Sequence, residues 1–268
     1  MSISERQRMI LSIIDEKTYV TVNELAQILF TSASSIRRDL TSMQNQGLVR
    51  RSHGGVTLFE NANGVASFYN RSKKSVKEKR AIAKKASELL CDGMSIFLDS
   101  STTASFMLPY IAQLERATVF TNNLQTAINA SQQGIDVYCL GGHATNNSSA
   151  LVGPQTYAAV SSIKTDIVFF SSQALDINGV ISDFTEEENY VRRMMLNQSK
   201  QTVFLCDSEK FGRDSVYKLA DIDKIDFAVF DRAFDGLKTS TTVLIADEEI
   251  KSKGERKSRH LRGRELIR

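Results

Sequence analysis

The chain has 268 residues, of which 41% are hydrophobic and 24% charged, with a formal net charge of +3. That length suits one small domain and one larger one, and so small a net charge confines any affinity for nucleic acid to a local patch. No apolar run is long enough to cross a bilayer and the first residues carry no secretion-signal pattern, so a cytoplasmic protein with no membrane partner is expected.

The first elements are helical. Across residues 5–16, Met9, Ile10, Ile13 and Ile14 form one apolar stripe, and a second helix over residues 21–29 opens with a capping box from Thr21 to Glu24. After a short link, with Thr31 and Ser32 available as caps, Ile36, Leu40 and Met43 recur at helical spacing and face a small core. The outward side then holds Ser34, Arg38 and Thr41, with Arg37 on the flank. An Arg-Arg pair alone is an ordinary solvated face. Here it follows helix, helix and turn, which is the order of a helix-turn-helix motif. Gly47 reads as a left-handed helix stop. Residues 48–51 and 56–59 then read as two short strands around His53-Gly54-Gly55, a wing carrying Arg50, Arg51 and His53. Guanidinium groups bond phosphates or guanine edges, and small hydroxyls let a helix sit close to the bases. Together these residues read as a winged helix-turn-helix that grips double-stranded DNA.

Ser35-Ile36-Arg37-Arg38-Asp39-Leu40 resembles the TIRRDL signature of the DeoR family of bacterial sugar-metabolism regulators, with Ser35 keeping the hydroxyl of Thr. Arg51-Ser52-His53-Gly54-Gly55-Val56 is similar to that family's R-x-HGG-A/V wing. The DNA-contacting residues expected are Ser34, Ser35, Arg37, Arg38, Thr41, Arg50, Arg51 and His53. Asp39 reads as structural, orienting a neighbouring Arg through an ion pair or hydrogen bond. His53 reads as a wing or phosphate residue, because no Cys or second His stands at ligand spacing; no metal and no cofactor is expected.

Residues 59–75 are polar and without period, and read as a linker between a DNA-binding domain over 1–58 and a second domain over 76–246. From Arg71 to Lys85 there are eight basic residues against one acid, Glu78. This run is either an extension of the DNA footprint by counterion release or the solvated face of the helix containing Ile82, Ala86 and Leu89.

The second domain reads as α/β. Short β-rich runs at 95–98, 118–120, 137–140, 166–170, 202–206, 227–230 and 243–246 alternate with helical stretches, so a Rossmann-like parallel sheet is expected. Polar groups follow the first six runs: Asp99-Ser100-Ser101-Thr102-Thr103, Thr121-Asn122, Gly141-Gly142, Ser171-Ser172, Asp207 to Lys210, and Asp231. In open parallel sheets such groups converge at the carboxyl edge. Hydroxyls and free N–H groups at the start of the helix after Ser100 suit a phosphate, Lys210 supplies a matching cation, and Asp99, Asn122 and Asp207 suit sugar hydroxyls. One at a time, these are ordinary turn and cap formers. The three cysteines, Cys91, Cys139 and Cys206, read as buried reduced thiols.

These loops resemble the DSGTT, TN, GG and DSSKFG segments of the DeoR-family effector domain, which implies a fold similar to ribose-5-phosphate isomerase and a phosphorylated sugar as effector. Ser101 stands where that family has Gly. The expected effector-binding residues are Asp99, Ser100, Ser101, Thr102, Thr103, Thr121, Asn122, Gly141, Gly142, Asp207 and Lys210. Residues 186–195 resemble an acidic-to-basic helix of the family, although the helix dipole alone accounts for that charge order. The basic residues 251–264 match nothing in the family and read as part of a disordered tail over 247–268.

The expected function is transcriptional regulation without catalytic residues. A repressor of a sugar uptake or catabolism operon, acting as a homo-oligomer because one recognition helix binds too weakly, fits these features best. The alternatives are a sugar-phosphate isomerase or acyl-transfer enzyme with an appended DNA-binding domain, and an architectural DNA protein with a vestigial second domain.

Overall fold

The computed structural model describes residues 4–17, 19–46, 48–52, 55–58, 67–145 and 148–246. Gly47, His53, Gly54, most of the expected linker and the basic tail lie outside the described residues.

The first unit comprises α1 (Glu5–Lys17), β1 (Tyr19–Thr21), α2 (Val22–Ile28), α3 (Ala33–Asn45), β2 (Val49–Ser52) and β3 (Gly55–Leu58). The Thr21 hydroxyl accepts from Glu24 N at 3.2 Å while the Glu24 carboxylate accepts from Thr21 N at 2.8 Å, closing the capping box that starts α2. Ser32 caps α3 by accepting from Ser35 N at 3.2 Å. Ile10, Ile14, Leu25, Ile36, Leu40, Met43, Val49 and Val56 bury fully in one core. Three helices and the sheet β1-β3-β2 therefore form a winged helix-turn-helix.

Two features depart from the sequence reading. Met9 is exposed and Leu11 is buried in its place, because Gln7, Ile10, Leu11 and Ile14 share the inward face while Met9 lies about 150° from its centre. The strand β1 is also unforeseen. It is three residues long and runs straight into the cap of α2, too short to show an alternating pattern.

Part of the expected linker is helical. Within residues 67–75, α4 (Phe68–Lys73) is started by Ser67, whose hydroxyl accepts from Asn70 N at 3.3 Å, and is anchored by the buried Phe68. Its last carbonyls are met by α5 (Val76–Ala86): the Lys79 ammonium donates to Arg71 O at 2.5 Å and Lys74 O at 2.7 Å.

The larger unit continues through β4 (Ser95–Leu98), α6 (Thr102–Ser105), α7 (Leu108–Ile111), β5 (Thr118–Thr121), α8 (Leu124–Gln132), β6 (Asp136–Cys139), the hairpin β7 (His143–Ala144) and β8 (Leu151–Val152), and α9 (Pro154–Ser161). Then come β9 (Thr165–Phe170), β10 (Ala174–Leu175), β11 (Val180–Asp183), α10 (Glu186–Asn197), β12 (Ser199–Cys206), β13 (Tyr217–Asp221), β14 (Phe227–Phe230) and β15 (Thr242–Ile245). Seven strands form one parallel sheet in the order β15-β14-β12-β9-β4-β5-β6. The chain builds outward from β4 to β6, then returns to β9 and builds the other way, so the strand order reverses between β4 and β9.

Both faces of this sheet are dry along its central strands, as parallel strands require. Ile96, Leu98, Ile167, Phe169 and Val203 pack with Ile82 of α5 and Met107 on one side. On the other, Phe97, Val168, Phe170 and Phe204 meet Val191 and Met195 of α10. Each such side chain contributes about 1.5–3 kcal/mol by burial. Of the cysteines, Cys206 is buried, whereas Cys91 and Cys139 are exposed, Cys139 on the edge strand β6.

Phe30, in the turn between α2 and α3, combines a left-handed φ of 48° with 97% exposure. A bulky residue there costs about 1 kcal/mol in strain and recovers nothing by packing. Phe30→Gly is expected to raise the stability of the winged-helix unit, read as a higher urea midpoint at unchanged slope; a lower midpoint would refute the strain.

Candidate functional site

The outer face of α3 is what its apolar period leaves over. Ser34, Arg37, Arg38 and Thr41 are exposed, as are Arg50 and Arg51 on β2. Arg51 Nη1 donates to Thr41 Oγ1 at 3.2 Å, which ties the wing strand to the recognition helix. Ser35 is half-buried, its hydroxyl within 3.0 Å of that of Ser32. Asp39 takes the structural role expected of it, and the Arg it pairs with is Arg6. It accepts from Arg6 Nε at 2.5 Å and so joins α3 to α1.

A second polar assembly lies at the carboxyl ends of β4, β9 and β12, where the strand order reverses. Its centre is the buried Arg192 of α10. Arg192 Nε donates to Asp99 Oδ2 at 2.7 Å, Nη1 to Asp183 Oδ2 at 2.8 Å and Nη2 to Glu188 Oε2 at 3.3 Å. Burial works against the Arg192 charge, but the carboxylates of Asp183, Asp99 and Glu188 outweigh it and raise the guanidinium pKa, locking the charge in place. Asp99 uses its other oxygen to accept from Ser101 N at 3.1 Å and Ser101 Oγ at 2.5 Å, while Ser100 donates to Glu188 at 2.9 Å.

Above this network opens a cleft at the carboxyl edge of the sheet, the usual place for a ligand in a parallel α/β fold. Ser101, Thr102, Thr103, Ser171 and Ser172 supply hydroxyls to its wall. Six cations line it, Arg71, Lys74, Lys79, Arg192, Lys210 and Arg213, against three acids, Asp183, Asp207 and Glu209. Lys210 Nζ lies 2.9 Å from Ser171 Oγ and 3.1 Å from Asp207 Oδ2. Burial opposes the Asp207 charge, but the Lys210 ammonium outweighs it, so the carboxyl stays below its usual range. An excess of cations in a concave, hydroxyl-lined site selects an anion that also carries hydroxyls.

Two family models divide the chain between them: residues 6–62 match the DeoR-like helix-turn-helix domain and residues 74–232 the DeoR C terminal sensor domain. The chain belongs to the DeoR family. The HTH-type transcriptional regulator GolR of Listeria innocua is 32% identical over 85% of this chain and 90% of its own length. The glycerol-3-phosphate regulon repressor of Haemophilus influenzae is 26% identical over 85% of this chain and 89% of its own. Among solved structures, ribose 5 phosphate isomerase A of Neisseria gonorrhoeae matches half of the chain, 50%, and 52% of its own, at 13% identity and a TM-score of 0.37. Its curated relatives are regulators, and this DeoR-family chain is a DNA-binding transcriptional regulator rather than an enzyme. No helix among the described residues is long and apolar enough to cross a membrane.

In this DeoR-family fold the residues expected at the effector site separate into three sets. Ser101, Thr102, Thr103, Asp207 and Lys210 line the cleft. Asp99 and Ser100 lie behind it, fully engaged with Arg192, Ser101 and Glu188. Thr121, Asn122, Gly141 and Gly142 are absent from its wall. They end or follow β5 and β6, on the far side of β4 from β9, so the sheet order carries them away from the reversal point. Asn122 Nδ2 donates to Leu151 O at 3.1 Å and Thr156 Oγ1 donates to Gly141 O at 2.5 Å. Gly142 has φ +140°, and a Cβ there would fall 2.0 Å from Thr156 Oγ1, so its glycine serves packing.

The expectation of a phosphate held by a helix N-terminus also changes. α6 is only four residues long, too short to carry much dipole, so the positive potential comes from side chains. Ser101 fits without its family Gly because its φ is −77° and its hydroxyl caps Ala104 N at 3.1 Å. Arg71, Lys74, Lys79, Asp183, Glu188, Arg192 and Arg213 were not anticipated as site residues. Their signals were the basic run from Arg71 and the four-residue spacing of Glu188 and Arg192, both of which also describe a solvated helix.

Removing Arg192 strands three buried carboxylates. Arg192→Ala is expected to destabilise the sensor domain by about 3–5 kcal/mol, read from urea unfolding. A loss below about 1 kcal/mol, the range of a surface pair, would show that the network is not the organiser described here.

Proposed function

We propose that this chain represses an operon for sugar uptake or catabolism and is released from DNA by a phosphorylated sugar. It acts in the cytoplasm as a dimer or larger homo-oligomer. The observation that carries the reading is the coexistence, in one chain, of an arginine-bearing recognition helix and a hydroxyl-lined cleft with six cations against three acids. The name of one relative, a glycerol-3-phosphate regulon repressor, points to the same chemistry. In this reading Ser34, Ser35, Arg37, Arg38, Thr41, Arg50, Arg51 and His53 face the DNA, with Arg38 nearest the base edges and the wing arginines on phosphates. Lys210, Ser101, Thr102 and Thr103 hold the phosphoryl group, and Asp207 accepts from sugar hydroxyls. Two recognition helices spaced by an oligomer give the affinity that one lacks, and the effector favours a subunit arrangement that no longer fits that spacing.

Selection from random duplexes will supply the operator, and phosphorylated sugars can then be screened for loss of the bound band. Arg38→Ala should weaken operator binding by about 1–3 kcal/mol and relax base preference while leaving effector affinity intact. Lys210→Ala should bind operator normally and resist release. An Arg38→Ala protein with full affinity and selectivity sinks the assigned docking face.

Lys79 makes anion binding sensitive to pH. Burial, reinforced by Lys210 and Arg71, holds its ammonium down at about 8 despite the pull of Asp207 and Glu209. Below that pH the cleft keeps this cation; above it the proton leaves and anion affinity falls. Sulfate does not titrate in this range. Its affinity should drop as pH rises through about 8, with proton uptake on binding seen by calorimetry in two buffers. Lys79→Met should bind sulfate more weakly, with no such step.

A further inference from the structure

The cleft and the winged-helix unit are joined by one short rigid element. On α4, Tyr69 packs against the winged-helix core, within electrostatic reach of Arg8 on α1. Asn70 Nδ2 donates across to Leu48 O at 3.3 Å. Leu48 immediately precedes β2, the strand that carries Arg50 and Arg51, and its own N–H donates to Met43 O at the end of the recognition helix. The next residue, Arg71, lines the anion cleft beside Glu188, Asp183 and Asp99. Lys74, just past the helix, also lines the cleft and pairs with Glu209 at 2.9 Å.

The helix cannot absorb a shift at one end without passing it to the other. Asn70 and Arg71 are neighbours in a hydrogen-bonded turn with a rise of about 1.5 Å per residue. Lys79 clamps the helix's far end through Arg71 O and Lys74 O. Beyond the clamp the backbone turns at Ser75, whose φ of 49° is a left-handed conformation for a residue with a Cβ. Such a conformation costs strain and persists where the surrounding structure over-determines it.

Resting on the reading that this cleft takes a phosphorylated anion, we propose that α4 is the lever by which occupancy of the cleft resets the wing. An anion recruits Arg71, which lines the cleft within the field of Glu188, Asp183 and Asp99, and Lys74, which now pairs with Glu209. Regrouping these cations around the anion tilts α4 and weakens the Asn70–Leu48 contact, which frees the wing from the position that suits DNA. Anion and DNA therefore favour different positions of one helix, which gives the unequal affinity that linkage demands.

Hydrogen exchange on the full chain, with inorganic phosphate against a chloride control, tests this without knowledge of effector or operator. In the wild type, phosphate should slow exchange at residues 99–104 and 207–213 and alter it at residues 48–52, 55–58 and 67–75. In Asn70→Ala, whose altered side chain is not part of the cleft wall, the slowing at 99–104 and 207–213 should remain and the change at 48–52 and 55–58 should be lost. Slowing in the cleft with no change at the wing in the wild type overturns the lever. So does a wing response that persists in Asn70→Ala. No slowing at the cleft in the wild type overturns the anion site itself, a separate outcome from failure of the lever.

Discussion

Arg192 is the constraint on which the sensor domain is built. Its guanidinium reaches Asp99 at the end of β4, Asp183 at the end of β11 and Glu188 one turn earlier on α10, so β4, 93 residues away, is held to the β11–α10 unit at one point. None of these groups is stable alone in a dry interior; each needs the others to offset its lost hydration. The geometry fixes the β4 loop through the second oxygen of Asp99, and with it the Ser101 to Thr103 wall of the cleft. Asp183 is engaged with Arg192, Asp207 with Lys210 and Glu209 with Lys74, and the six cations of the cleft still outnumber these three acids.

That excess is supplied from two directions. Lys210 and Arg213 come from the loop after β12, inside the sensor domain, whereas Arg71, Lys74 and Lys79 come from α4 and α5, where the chain enters from the winged-helix unit. A site assembled wholly within the sensor sheet could sense an anion without informing the DNA-binding end. Here the connecting segment is itself part of the wall, so sensing and transmission share residues.

Much of the architecture was legible because it depends on local rules. The apolar spacing of Ile36, Leu40 and Met43 dictates which face of α3 is outward, and the Thr21–Glu24 box marks where α2 begins. The seven parallel strands were visible as apolar β-rich runs, each followed by turn formers. What escaped was short or two-sided: β1 is three residues long, and α4 lies in a stretch whose polar composition hides the burial of Phe68 and the carbonyl clamp by Lys79. The basic run from Arg71 left two readings open, solvated face or DNA contact, and three of its members instead line the cleft.

The amino-acid sequence by itself determined the winged helix-turn-helix, the arginines it presents, the parallel sheet and the hydroxyl loops at its carboxyl edge, since these follow from periodicity and turn chemistry within short windows. Only the tertiary structure decided which loops share a cleft. The strand order puts the ends of β4, β9 and β12 together and sends Thr121, Asn122, Gly141 and Gly142 elsewhere. Strand order is set by how both faces of the sheet are covered, a property of the whole core. The burial of Arg192 among three carboxylates is equally nonlocal, because a charge pattern along one helix cannot tell solvent from a partner contributed 93 residues away.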